Sequence, residues 1–428
     1  MAVLAAKIEA AQARVSDADL PKGASWAGQA RKKALGTLWA GGLPHKRDEY
    51  WKFTDPARLA AAETPTADVL PIDEKPVFYA VDRHRMVFVD GVLDTDISHP
   101  LKMDNVEIET LQQATGKDIH WARDLFGVLE NNGQSPVQRP LAALNTATAK
   151  EGLVIRVTGK AQKPICLSNI RQEARTDAVI HHVIRLEEGA ELTLLENGPS
   201  AARLNLVLEI ELADGAVFNH VRTQGRDHQR VAANHMFVRL GRESRFKSFT
   251  LTANGTLTRS EAVIEMTGDD AHATISGASV GDGDFHHDDT VFLTHNAVNC
   301  ESRQVFKKVL RNGATGVFQG KILVKADAQK TDGYQISQGL LLDDDSQFLA
   351  KPELEIYADD VICSHGSTCG AVDETALFYL TSRGVPKAVA QDMLVLAFLS
   401  EAIDEIEDSE LAEDIRHRLE EWMQRHRT

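Results

Sequence analysis

Residues 359–374 read DDVICSHGSTCGAVDE, with two cysteines and a histidine between acidic residues. Cys363 and His365 stand two apart, which is same-face spacing on an extended chain. A thiolate and a neutral imidazole are ligands for iron and zinc, and thiolate is the usual ligand of iron–sulfur clusters. Two donors cannot close a tetrahedral site or a cluster, so a second chain would have to complete one. The residues alone leave a plainer reading open, a packed small-residue turn holding a buried Cys.

Other stretches invite chemistry and carry less of it. In GDGDFHHDDT, residues 281–290, Asp282, Asp284, His286 and Asp288 alternate as on one strand face. The nine-residue repeat of calcium-binding solenoids is missing, and a solvated polar strand face is expected. His181 and His182 are adjacent, so on a strand they point to opposite sides. GASVG, residues 277–281, matches GxSxG, but a nucleophile elbow needs a helix after its serine. DGDFHHDD follows Ser279 instead, so a small-residue turn is expected. Asp343, Asp344 and Asp345 sit in a turn context, where carboxylates serve as local backbone acceptors. Neither GxxxxGK[ST] nor a strand–GxGxxG–helix pattern occurs.

The elements around these residues follow from periodicity. Leu4, Ile8, Ala11 and Val15 form a helical stripe. A second helix runs from about Ser25, with Trp26, Leu35, Leu38 and Trp39 as apolar positions, and stops at Gly41-Gly42. From about residue 76 the pattern changes to β-branched and aromatic residues broken by Asp-Gly. Residues 106–150 are mixed, with helix near Leu111 and Trp121. Between about 150 and 360, turn signals recur at Gly189, Gly215, Glu243, Asp270 and Asn296. LNLVLEIEL, residues 204–212, puts Leu204, Leu206, Leu208, Ile210 and Leu212 on one face. Short strands at a spacing of 26 to 28 residues, with no helix between them, predict a β-solenoid over a sandwich of hairpins. The end is helical: Asp373 caps one helix that Gly384 stops, Pro386 opens another, and Ser409 caps a third. Leu411, Ile415, Leu419 and Trp422 form the stripe of that third helix. The terminal helices are expected to cover the open end of the rod, where bare strand edges would aggregate.

The totals narrow the function. The 428 residues are 43% hydrophobic and 26% charged, a globular composition. A net charge of −16 repels phosphate backbones and anionic lipid, which argues against nucleic acid and membrane partners. No secretion signal is read in the interrupted N-terminal stretch, and no apolar run reaches membrane-spanning length. Cys166, Cys300, Cys363 and Cys369 form no disulfide framework, so a reducing cytoplasm is the expected home.

KPELEIYADDVICSHGSTCGAVDETALFYLTSRGVP, residues 351–386, resembles the C-terminal signature of the SufB/SufD family of iron–sulfur cluster assembly proteins. Similar to that family too are GATGVFQGKILVKADAQKTDGYQISQGLLL (313–342), GLPHKRDEYWKFTD (42–55) and PLAALNTATAKEGLVIRV (140–157). Cys363 to Gly366 match the Cys-Ser-His-Gly turn of the family's SufD branch, and the CxxCxxxC of its SufB branch is missing. The resemblance implies a right-handed parallel β-helix between helical ends. The expected divisions are 1–75 helical, 76–362 β-helix with a mixed lead-in to about 150, and 363–428 helical and contacting the ATPase SufC. It implies a non-catalytic scaffold that pairs with SufB, each subunit holding one SufC. ATP is then bound only through SufC. A transient iron–sulfur cluster assembles at the SufB interface, beside His365 as a ligand and Cys363 as a second candidate. ATP-driven closure of SufC would shift the helical regions and uncover both residues. Flavin bound by the complex is a further association of the family, and a homodimer of the isolated chain stays open. Cys369 stands where the family commonly has a Val-like residue and is read as a small apolar replacement. The rival functions are a carbohydrate-active β-helix enzyme, which would need a paired-acid cleft, and a stand-alone metal-binding protein using the His286 region.

Overall fold

The computed structural model describes residues 2–69, 76–225 and 227–426, so the expected boundary at residue 75 lies outside the described residues. The chain opens with α1 (Ala2–Arg14), α2 (Ser25–Gly41) and the single-turn α3 (Ala57–Ala60). α2 stops where Gly42 takes φ +69° and its N–H bonds the Leu38 carbonyl. A Cβ at Gly42 would lie 2.4 Å from the Lys7 backbone, so only glycine lets α1 cross there.

β1 (His84–Val89) and β2 (Val92–Asp94) form a hairpin, with left-handed Asp90 and Gly91 in its turn. The short β3 (Lys102–Met103) and β4 (Val106–Thr110) lead to α4 (Leu111–Thr115), α5 (Val128–Asn132) and α6 (Pro140–Thr148). From β5 (Leu153–Val157) and β6 (Ile165–Ile170) onward, successive strands fall in opposite sheets. One sheet continues through β7 (Asp177–Leu186), β9 (Arg203–Leu212), β11 (Val231–Leu240), β13 (Leu257–Met266), β15 (His286–His295), β17 (Thr315–Val324) and β19 (Gln347–Ile356). The other continues through β8 (Glu191–Asn197), β10 (Val217–Gln224), β12 (Arg245–Ala253), β14 (His272–Asp282), β16 (Glu301–Arg311), β18 (Asp332–Leu341) and β20 (Ile362–Gly370). The pairing within each run is parallel, as in Ile180 with Leu206 and Leu206 with Asn234. Crossing between sheets at each step is what a β-solenoid does and a sandwich of hairpins does not.

The turns explain how the coils stack. Gly189, Gly215, Glu243, Asp270 and Asn299 all adopt positive φ. Each donates its backbone N–H to the coil above or below: Gly189 to Asp214, Gly215 to Arg242, Glu243 to Asp269, Asp270 to Val298, Asn299 to Gln329. This column of left-handed residues forms one corner of the rod. The fifth position is Asn299 and not the expected Asn296, because His295 still pairs with Val324 and the strand runs longer.

Leu204, Leu206, Leu208, Ile210 and Leu212 line the interior with Ile184, Leu186, Val238 and Ile264. Each such side chain is worth roughly 1.5–3 kcal/mol on burial. α7 (Glu374–Ser382), α8 (Lys387–Ile403) and α9 (Ser409–Arg425) follow β20. Asp373 caps α7 and Gly384 takes φ +89° after it. Asp408, one residue before the expected Ser409, caps α9 by accepting from the Glu410 and Leu411 N–H groups. Leu411, Ile415, Leu419 and Trp422 pack with Val221, Phe249, Val305 and Val309, the outward side of the even-numbered sheet. Leu35, Leu38, Leu141 and Leu144 pack with Val231 and Ala233 on the outward side of the other.

Two expectations change here. The C-terminal helices cover a flank of the rod, not its end, because the apolar stripe they must bury meets Val305 and Val309 along the sheet. The region expected to be helical from residue 363 opens as strand: β20 adds a last rung to β18, and helix begins only at Glu374.

Candidate functional site at the end of the rod

β20 is the terminal strand of its sheet, parallel to β18 on one side and unpaired on the other among the described residues. Cys363, His365, Ser367 and Cys369 share one face and stand opposite Gly333, Gln335, Ser337 and Gly339. Cys363 is half-buried against Ile322, Leu354 and Ala358. A Cβ at Gly333 would approach its Sγ to 3.2 Å, so the glycine leaves room for the thiol. His365 and Cys369 are exposed. Ser337 Oγ donates to Ser367 Oγ at 3.1 Å and ties the rung down between them.

No motif points to Gln335. It is fully buried, bonds Gln304 Oε1 through Nε2 at 3.0 Å, and leaves its own Oε1 without a partner. Register places it directly beneath His365. A spare amide oxygen there is an acceptor for an imidazole N–H. Only the pairing of β16, β18 and β20 brings these three residues into one column, and Gln304, Gln335 and His365 carry no motif.

The electrostatics keep both thiols protonated. Burial pushes the Cys363 thiol up, the Gly333 backbone N–H opposes it, and Asp332 adds to the rise. Burial also raises Cys369. A metal would therefore displace a proton on binding, and affinity would rise with pH. No group of three or more His, Cys, Asp or Glu among the described residues could hold a metal. Cys363, half-buried, and His365, exposed, are two donors on an open edge strand. Alkylation should report this directly. Iodoacetamide is expected to label Cys369 and Cys363 in the native chain, faster as pH rises toward the raised thiol pKa. Cys166 and Cys300, both fully buried, should stay protected until unfolding. Mass mapping of equal labelling at all four would contradict the fold.

The other candidates are accounted for. Asp282 ends β14, where it pairs with Arg311 at 2.6 Å, and Asp284 lies in the following turn, so neither shares a strand with His286. The expected solvated face of β15 is buried. Thr54 donates to Asp288 Oδ2 at 2.5 Å and bonds His286 Nε2 at 2.9 Å, while Arg259 pairs with Asp288. On the opposite side Lys308 pairs with Asp289 at 2.5 Å inside the rod. The reason is the N-terminal segment: Tyr50 bonds Glu353 at 2.7 Å and Trp51 lies under the Arg259 guanidinium at 4.2 Å, strapping that sheet from outside. A stand-alone metal site at His286 is thereby filled by protein groups. GASVG is strand, not turn, within β14. Its small residues make space, since a Cβ at Gly277 would lie 2.9 Å from the Phe306 ring. His181 and His182 do face opposite ways. His181 bonds Glu209 at 2.9 Å, while His182 packs on Phe88 and is held near pKa 4 by burial. Asp343 accepts the Asp345 and Ser346 N–H groups, the turn role expected of it.

The model of the SUF system FeS cluster assembly, SufBD core domain, matches residues 169–398. The chain is 27% identical over 390 residues to the iron–sulfur cluster assembly protein SufD of Escherichia coli, covering 88% of this chain and 89% of that one. It is 28% identical over 404 residues to an iron–sulfur cluster assembly SufBD family protein of Synechocystis, covering 88% and 86%. To SufD of Bacillus subtilis it is 25% identical over 277 residues, 63% of each chain. With more than half its length inside the core-domain match, on a parallel solenoid with helical ends, the chain belongs to the SufB/SufD family of iron–sulfur cluster assembly scaffold proteins.

Proposed function

We propose that the chain is the SufD-type subunit of a cluster assembly complex, pairing through the β20 edge with a SufB-type subunit. The observation that carries this reading is the exposed β20, unpaired among the described residues, which carries Cys363 and His365 without a third donor close enough to complete a metal site. An open edge of this kind is a template for another strand and an aggregation hazard when left bare. A second solenoid would cover it and supply the missing donors. The cluster is then cargo held between subunits, with His365 and Cys363 as this chain's share. Gln335 orients the imidazole. Exposed Phe378 and Tyr379 on α7 and Met393 on α8 form an apolar surface for a SufC-type ATPase, through which alone ATP acts. A cytoplasmic home, flavin in the assembled complex and a homodimer of the isolated chain belong to the same reading. Among the described residues, no helix is long and apolar enough to cross a membrane.

Co-expression with SufB-type and SufC-type subunits tests it, with the tag on this chain. Stoichiometric co-purification of both is expected. Ile362, which is 72% exposed on β20, is the residue to change. Ile362→Asp should release the SufB-type subunit and keep the SufC-type one. Retention of both would move the contact away from this edge.

A further inference from the structure

A second cavity lies well away from the β20 edge. It sits between α9 and the outward side of the even-numbered sheet, from β1 to β12, and measures about 240 Å³. β12 and β20 are four strand spacings apart in that sheet, roughly 19 Å. Val87, Ile170, Leu251, Ala253, Leu419 and Trp422 give the cavity apolar walls.

Its charges are one-sided. Arg83, Arg85, Arg171, Arg418 and Arg425 line it, and no carboxylate does among the described residues, in a chain of net charge −16. Arg171 pairs with Asp227 at 2.7 Å, and Arg418 with Glu421 at 3.1 Å. Arg83 donates to the Tyr79 and Val81 carbonyls and Arg85 to that of Ile97, and neither has a carboxylate partner among the described residues. The Nε atoms of Arg83, Arg85 and Arg171 are buried without a partner. Gln224, itself only 8% exposed, lines the same cavity with an unpartnered Oε1. N–H donors buried without an acceptor are costly, and an anion entering among them would offset that cost. The apolar walls exclude a bare inorganic ion as the best fit. A cavity of about 150 Å³ holds benzene, so this one has room for a ring system larger than that.

We propose that this cavity binds an organic anion, a carboxylate, sulfonate or phosphate carried on an apolar body of one or two rings. The anionic group meets Arg83 and Arg85, the body lies on Leu251, Leu419 and Trp422, and a donor on the ligand can reach Gln224 Oε1.

The full chain can be titrated with 8-anilino-1-naphthalenesulfonate, a two-ring sulfonate, at physiological salt. Saturable one-site fluorescence enhancement is expected. The uncharged N-phenyl-1-naphthylamine should bind at least about tenfold more weakly, the worth of one lost charge-assisted contact. Arg83→Gln and Arg85→Gln should each weaken the sulfonate by a similar factor. Both arginines are half-buried at the surface, so the variants are expected to fold, which circular dichroism would check. The neutral comparison needs no variant and stands if they do not. No saturable binding below about 1 mM, equal affinity for the neutral probe, or unchanged affinity in both folded variants would overturn the assignment.

Discussion

Replacing His365 by Ala should cut the iron and sulfide recovered with the co-expressed complex at least about tenfold. Removing groups that merely orient a metal ligand already costs 10–100-fold in affinity, and a ligand itself should cost no less. The fold should not notice. His365 is exposed on an edge strand, and its backbone bonds to β18 do not depend on the side chain. Subunit stoichiometry should therefore stay at the wild-type value while cluster content falls. Ser364→Ala, on the other face of the same strand, is the matched control and should retain full content. Gln335→Leu removes the acceptor beneath the ring while filling its space, and should give an intermediate loss. If His365→Ala complexes carry wild-type iron and sulfide, the imidazole is no ligand. If they fail to assemble at all, its role is in the contact between subunits and not in holding cargo.

Replacing Arg259 by Ala should cost about 3–5 kcal/mol, the usual penalty for stripping one partner from a buried ion network. Arg259 is 1% exposed and joins three things. It pairs with Asp288, it pairs with Glu261 at 3.3 Å, and it donates to the Tyr50 carbonyl at 3.0 Å while covering the Trp51 ring. Without it Asp288 loses its cation, Glu261 keeps only Arg139, and the N-terminal strap loses its clamp. Thermal and urea midpoints should both fall, and trypsin should cut earlier in residues 42–60. The pH dependence has a defined sign. Burial alone would raise the Glu261 carboxyl, but Arg139 and Arg259 outweigh it and hold it at about 2. A carboxyl lowered in the folded state stabilises above its unfolded pKa of about 4.3 and loses that contribution as pH falls toward 2. Wild-type stability should therefore drop across this window, and the variant should drop less. A midpoint unchanged at neutral pH would show that the strap holds without the network.

Much of this was legible because it was local. A column of apolar residues at every second position, as in 204–212, can bury itself only as a strand. Short strands recurring with a turn residue every 26 to 28 positions leave little but stacking coils. Gly189, Gly215, Glu243 and Asp270 were readable as turns because left-handed backbone selects for glycine and for short polar side chains. Glu243 shows that this preference is not a rule. The spacing of Cys363 and His365 is likewise a one-strand property. It survives any arrangement that keeps residues 362–370 extended.

The departures from the expected structure share one physical cause. Whether a strand face meets water depends on what crosses it from elsewhere in the chain. His286 and Asp288, expected on a solvated face with Asp282 and Asp284, are instead both bonded by Thr54, some 230 residues away, and Arg259 pairs with Asp288. GASVG looked like a turn because small residues usually mark one, and it is strand because Phe306 needs the space. The sequence by itself determined the repeating strands, the helical ends, the family signature and the pair of donors on the last strand. The tertiary structure alone decided that the helices lie along the flanks and leave β20 bare, that Gln335 stands under His365, and that five arginines converge on one cavity. Those are distances between residues far apart in the chain, and they are set by which apolar faces find each other, a choice that no local pattern encodes.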